Sequence, residues 1–323
     1  MFSLKKYCVL ILLVVVLPIG TTLSQGCSDA GFCTMGAMKP DQAFSKKINF
    51  KVRSLELSYY RGTTTLTPII QVVNMDLSVG ITQRTGFQVK LPYQAVTGSF
   101  GNTSGIGDIS LSVTHNFFNS EKFDINATLG VKIPTNKSDL ASDGTTVQGT
   151  EGADFPMYYQ VSLGSFDIVA GASLISNNWL FAVGYQNALT ANANEYDSLE
   201  WINEYPNPNY VKGYDEANHL KRGSDIMLRV ERNFRFVKYN FTLGLLPIWR
   251  ITKDQIRDKT TLEYNKVEGT TGLALSALAG FGYNFNVNNS VKLTYGHKLT
   301  QRDVNPDGLT RENVLIIGYL FRF

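Results

Sequence analysis

The last eight residues, Ile316 to Phe323, read IIGYLFRF. Leu315, Ile317, Tyr319, Phe321 and Phe323 share one side of a two-residue period and are all bulky and apolar. Ile316, Gly318, Leu320 and Arg322 share the other side and are mixed. That period is the signature of a strand with two unlike faces. Termini fray, so a soluble domain gains little from an aromatic strand at its end. A transmembrane β-barrel has a use for one. Its last strand closes against its first, and its lipid face must be apolar.

The other end of the chain agrees. Met1 to Ser24 carries Lys5 and Lys6, then the apolar run Val9 to Leu17, then small residues at Thr22 and Ser24. This is the pattern of a secretory signal peptide, and its apolar run is too short to favour a transmembrane helix. The expected organisation is a signal peptide at 1–24, an N-terminal periplasmic tail at 25–46 and a transmembrane barrel at 47–323.

Composition fits a barrel, whose apolar and polar faces cancel in any window. Hydrophobic residues make up 43% and charged residues 18%, while 16 Tyr, 19 Phe and 28 Gly favour strands and tight bends over helices. The formal net charge of +3 falls to about +1 without Lys5 and Lys6, so no nucleic-acid partner is implied.

Cys27 and Cys33 remain after the signal, in QGCSDAGFC. In an oxidising compartment they are expected to form a small disulfide loop. Lipidation of Cys27 is the competing reading, weakened by the absence of Leu three places upstream, and two inert thiols are the third. Two thiols alone are too few for a metal site.

Alternation recurs along the mature chain. In GDISLSVTHNFF, Ile109, Leu111, Val113 and Phe117 share a face; in KFDINATLGVKIP, Phe123, Ile125, Ala127, Leu129, Val131 and Ile133 do. A polar turn joins the two runs into a hairpin with one apolar and one polar wall. Near residues 48–60 the apolar set changes face, which predicts a bulge. Short connections near 82–86, 119–122, 176–178, 235–238 and 286–290 alternate with longer ones near 61–67, 94–106, 135–155, 190–222, 254–268 and 302–310. Outer-membrane barrels have short periplasmic turns and long outer loops. The chain is therefore expected to be all-β, an antiparallel barrel of about twelve strands. The face also changes at Gly164-Ser165, where a bulge rather than a turn keeps the strand number even.

The stretch GIGDISLSVTHNFF…ATLGVKIPTN carries a resemblance. Gly105-Ile106-Gly107-Asp108 opens one strand, and the next ends in Ile133-Pro134-Thr135. This resembles the outer-membrane barrels of the meta-pathway phenol-degradation type, which are similar in outline to outer-membrane long-chain fatty-acid transporters. Asn136 departs from the family's Pro-Thr-Gly. The terminal Gly318, Phe321 and Phe323 resemble the signal read by the barrel-assembly machinery, although Ile316 stands where that signal has a polar residue. The resemblance implies a Gram-negative outer membrane, lipid and assembly machinery as partners, and passive uptake of small apolar or aromatic molecules. The alternative is a structural or adhesive barrel whose outer loops bind partners.

Candidate site residues follow from strand register. Lys90, Asp108, Asp124, Lys132, Asp225, Arg229, Glu231, Lys292 and Arg322 fall on the polar wall. Facing lipid at mid-depth would cost Arg or Lys about 2–4 kcal/mol, so these side chains should line the lumen. There they serve either as a selective constriction or as an internal salt-bridge ladder. Tyr196, Trp201, Tyr205, Tyr210 and Tyr214 in the longest irregular stretch form either a ligand vestibule or a self-packed outer cap. Gly80, Gly130, Gly244, Gly280 and Gly282 are expected to leave space on the polar wall. No wide aqueous channel is expected. His115 and His297 fall with the apolar sets and His219 in a loop, with no catalytic pattern, so no enzyme activity and no cofactor are expected. Asp139, Asp143, Glu151 and Asp154 match no calcium-loop spacing and read as solvated acids.

Overall fold

The computed structural model describes residues 34–39 and 51–323. Residues 1–24, Cys27 and Cys33 lie outside the described residues. The strands are β1 (Lys51–Thr63), β2 (Ile69–Gly80), β3 (Thr85–Gly98), β4 (Gly101–Ile106), β5 (Ile109–Asn119), β6 (Phe123–Ile133), β7 (Asp167–Ser176), β8 (Trp179–Ala188), β9 (Asp225–Arg235), β10 (Tyr239–Arg250), β11 (Gln255–Arg257), β12 (Tyr264–Lys266), β13 (Gly272–Asn284), β14 (Asn289–Thr300) and β15 (Asn313–Arg322).

All but β11 and β12 form one antiparallel sheet that closes on itself, with β1 hydrogen-bonded to both β2 and β15. β4 and β5 make a single stave, because β3 pairs with both. The barrel therefore has twelve staves. Closure leaves no free edge around the ring apart from the outer side of β4, which is the reason the aromatic C-terminal strand pairs with β1 from Ser54↔Arg322 to Thr63↔Asn313. Phe181, Leu243, Ile317 and Tyr319 are exposed on the outer face, as an apolar belt requires. The expected bulge in the first strand is at Arg53, where the register shifts between Val52 and Ser54.

Two expectations need correction. Residues 94–106 are not a loop, since β3 and β4 continue as a hairpin that turns between Gly98 and Gly101. Nor is the run before Gly164 a strand. Met157–Tyr159 is a single 3-10 turn, and regular pairing starts only at Asp167. The strand number stays even because this segment leaves the wall, and no bulge at Gly164-Ser165 is involved. Gly164 has φ +69°, a left-handed conformation suited to glycine, and it redirects the chain into β7.

The family-like motif has a local physical meaning. Between the pairs Tyr93↔Ile106 and Lys90↔Ser110, two residues of β3 face three of the opposite stave. One of the two is Pro92, which has no N–H to give the ladder; its carbonyl accepts from Gly107 N at 2.9 Å. Pro134 follows the end of β6, leaving the far edge of β4 without a neighbouring strand. The Thr135 hydroxyl then donates to Gly107 O at 2.6 Å and the Asn136 amide to Ile106 O at 2.8 Å. Asn136 thus does a job that the glycine of the family pattern has no side chain to do.

Candidate functional site

The middle of the lumen is occupied by the chain's own residues 34–39. This stretch, expected in a periplasmic tail, turns once as a 3-10 helix at Gly36–Met38 and packs inside the barrel. Gly36 N donates to Gln88 Oε1 at 3.0 Å and Ala37 N to Thr128 Oγ1 at 2.6 Å, so wall side chains satisfy its buried backbone. Lys39 Nζ lies 2.8 Å from Glu56 and 3.3 Å from Asp76. Lys90 Nζ donates to Thr34 Oγ1 at 3.0 Å. Met35 and Met38 are buried against Val169, Leu180, Ala182, Met227, Leu246 and Leu278. The interior is therefore two-toned: polar on β1 to β6, and largely apolar at mid-height from β7 to β13.

The wall glycines do not leave the expected space. Met35 lies over Gly130, Arg53 over Gly80, Glu231 over Gly244, Thr242 over Gly280 and Asn240 over Gly282. Glycine on the inner face makes room that a neighbouring side chain takes, because close packing tolerates few voids.

Between this inner segment and the long-loop end lies a chamber of about 140 Å³. Its wall includes Lys39, Lys90, Lys132, Arg229 and Lys292 together with Glu56, Asp76 and Asp108, while Tyr60, Val72, Leu309 and Ile316 supply apolar surface. A vestibule of about 400 Å³ opens at the short-turn end, bordered by Asp124, Arg235, Asn240 and Arg322. Lys292 borders both spaces.

The long loops form a cap with its own core. Phe100 stacks on Trp201 with centroids 4.5 Å apart and meets Tyr205 and Tyr210 edge-on. Trp201 and Tyr196 are fully buried and Tyr214 nearly so. Trp201 Nε1 donates to Asp154 O at 3.1 Å. The aromatics pack on one another as in the self-packed cap reading, with Tyr205 and Tyr210 partly buried at its margin. Burial pushes the Tyr158 phenol up to about 12 and raises those of Tyr159, Tyr196 and Tyr214 as well.

A buried ion network ties the cap to the wall. Arg250 bonds Asp225 at 2.7 and 2.9 Å, Asp254 at 2.6 Å and Asp307 at 2.9 Å. Arg302 reaches Asp307 at 3.1 Å, and Arg222 pairs with Asp167. These charges come from β7, β9, β10 and three different loops. Burial alone would raise the Asp307 carboxyl, but Arg302, Arg250 and Arg222 outweigh it and hold it below its ordinary range.

The nine inward charges named from register do not converge on one site. Lys90, Asp108, Lys132, Arg229 and Lys292 border the chamber, and Asp124, Lys292 and Arg322 border the vestibule. Asp108 is held by Lys132 at 3.2 Å and by Leu163 N at 3.0 Å. Arg229 pairs with Glu231 at 2.6 Å, whereas Asp225 turns to Arg250. Arg222, Arg250, Asp254, Arg302 and Asp307 are absent from the sequence-derived set, because four of the five lie in or at the edge of loops where no period marks a face. His115 Nδ1 meets Thr85 Oγ1 at 2.9 Å, His297 meets Asn313 and His219 meets Glu195. The loop acids stay apart: Asp143 accepts from Thr145 and Asp154 from Glu195 N.

No protein-family model matches the sequence, and no curated protein matches it. Among solved structures, an outer membrane channel from Pseudomonas putida F1 superposes with a TM-score of 0.59 at 12% identity, over 88% of this chain and 99% of that one. The NanC porin gives 0.45 at 7% identity, over 84% of this chain and 100% of that one. The KdgM porin gives 0.41 at 8% identity, over 84% and 99%. The chain thus has the fold of an outer-membrane barrel channel. The likeness is one of fold alone, and the two porin scores are too low to add to it.

Proposed function

We propose that this chain is a Gram-negative outer-membrane barrel for passive entry of small apolar or aromatic molecules along a narrow path. The observation that carries the reading is the chamber of about 140 Å³ between the inner segment and the cap. An apolar cavity of roughly 150 Å³ holds one benzene, so the space suits a single ring and little more. The apolar outer belt fits a lipid surround, and the motif likeness to the meta-pathway phenol-degradation type agrees with an aromatic solute. The adhesive alternative is weaker, because three of the five outer-loop aromatics that a partner would grip, Tyr196, Trp201 and Tyr214, are buried, and Tyr205 and Tyr210 are partly so.

Uptake of a radiolabelled single-ring solute into porin-deficient Gram-negative cells tests the reading. Cells carrying the chain should take it up severalfold faster than cells without it. Equal rates, with the barrel present and folded in the outer membrane, would overturn the proposal.

A further inference from the structure

Strand register gives the chamber a polarity. Glu56, Asp76 and Lys90 are successive cross-strand partners on β1, β2 and β3. Ser110 and Lys132 continue that row on β5 and β6. Lys292 joins it one row nearer the long-loop end through its partner Gly318, which pairs in turn with Ser58. Lys39 meets the row from the inner segment. Nearer the cap, Ile316, Tyr60 and Val72 are partners in the same way, and Leu309 closes over them. The chamber therefore has a charged floor and a roof that is apolar over Ile316, Tyr60, Val72 and Leu309, with Gln94 continuing the row on β3 and Arg311 at its border.

The lining as a whole is not balanced, even with Arg229 already paired to Glu231 and Arg311 placed toward the roof. Among the described residues lining the chamber, six carry a cation and three a carboxylate. In a confined space between protein walls this excess acts at lower effective dielectric than in bulk water, where an anion is drawn more strongly. A neutral aromatic carries no net charge for this excess to attract and gains only the weaker cation–π contact.

We propose that the chamber binds a small amphipathic carboxylate, its anionic group directed to Lys90 and Lys292 and its apolar body to Tyr60 and Ile316. This rests on the reading of the chamber as a solute site. It adds the charge that the solute must bear. Lys292, which borders both chamber and vestibule, would then be the side chain that passes the anion toward the short-turn end.

The test is equilibrium binding to the purified mature chain in detergent, with benzoate and benzyl alcohol as probes of matched shape. Benzoate should bind saturably and at least tenfold more tightly than benzyl alcohol. Lys90→Met and Lys292→Met together should weaken benzoate at least tenfold and leave benzyl alcohol within about twofold. Lys90→Arg, which keeps the charge, should retain most of the binding. Heat-modifiable gel migration establishes that each variant is folded; if the double variant is not, Lys90→Met alone is read against Lys90→Arg. Equal binding of the two probes, or benzoate binding indifferent to the lysines, would overturn the carboxylate site. Binding is read apart from uptake, so the outcomes separate: benzoate bound but never taken up ends the uptake reading and leaves the site, whereas uptake of a neutral ring without benzoate binding does the reverse.

Discussion

The Met38 sulfur stands over Gly171 of β7, so close that a Cβ on that glycine would come within 2.7 Å of it. Met35 sits over Gly130 of β6 in the same manner. These two glycines are sockets in the barrel wall. Methionine suits such a place, since its unbranched thioether fills irregular gaps. Gly171→Leu should therefore expel the inner segment without unfolding the barrel. Overpacking costs about 1–3 kcal/mol, and about 1.4 kcal/mol is a tenfold change in an equilibrium. The fraction of time that the lumen is unblocked should rise roughly tenfold, seen as longer or larger openings in single-channel recordings. A folded variant with unaltered conductance would show that the glycine does not hold the segment in place.

Arg250 is fully enclosed by Asp225, Asp254 and Asp307. Arg250→Met takes both of its bonds from the buried Asp225 and leaves Asp254 and Asp307 to share Arg302. Removing one partner of a buried ion pair costs about 3–5 kcal/mol. The expected result is protease nicking within residues 251–271 and 301–312 under conditions that leave the parent chain intact, with little change in barrel strand content by circular dichroism. Unchanged resistance to protease would mean that the aromatic core alone holds the cap.

Much of this fold is legible in the sequence. The two-residue period of β5, β6 and β15 names their outer faces, because lipid demands apolar residues there whatever the interior holds. The inner face is less legible. Leu180, Met227, Leu246 and Leu278 point inward and are as apolar as their outward neighbours, so alternation fades where the inner segment packs. That segment has no strand period and no charge run, and only its docking on the wall distinguishes TMGAMK from a tail. The candidate site divides the same way. Lys90 and Lys292 sit on periodic strands and can be read as inward, whereas Lys39, Arg302, Leu309 and Asp307 come from irregular segments placed by tertiary contacts alone.

Alkali should loosen the cap. Tyr158, whose phenol burial pushes up to about 12, and the similarly raised Tyr159, Tyr196 and Tyr214 resist ionisation while buried. In an opened cap they would ionise near the ordinary value of 10.0. Above that value the open form has lost protons that the closed form retains, so closure weakens as pH rises. The contribution is complete below pH 10 and is lost as pH rises toward and beyond 12. Tyrosinate absorbance should show a late-titrating fraction of the tyrosines, rising together with protease sensitivity of residues 189–224. Simple titration of all tyrosines near 10, with the cap still resistant, would contradict the burial argument.

The last residue closes the ring. Phe323 N donates to Arg53 O at 3.0 Å, opposite the bulge of β1, and its ring meets Phe321 edge-on at 4.7 Å. Deleting Phe323 removes the final bond of the β1–β15 seam and half of that aromatic pair, worth about 0.5–1.5 kcal/mol beyond the buried area. A finished barrel of this size should tolerate so small a loss, so an effect confined to stability would be slight. If the barrel-assembly machinery reads the terminal strand, as we propose, the deletion should instead lower the folded amount in the outer membrane severalfold. Molecules that do assemble should keep the parent conductance. Phe323→Trp, which preserves an aromatic terminus, should restore the amount. Normal levels of the shortened chain, or a Trp variant no better than the deletion, would remove the assembly role and leave Phe323 as a modest seam contact.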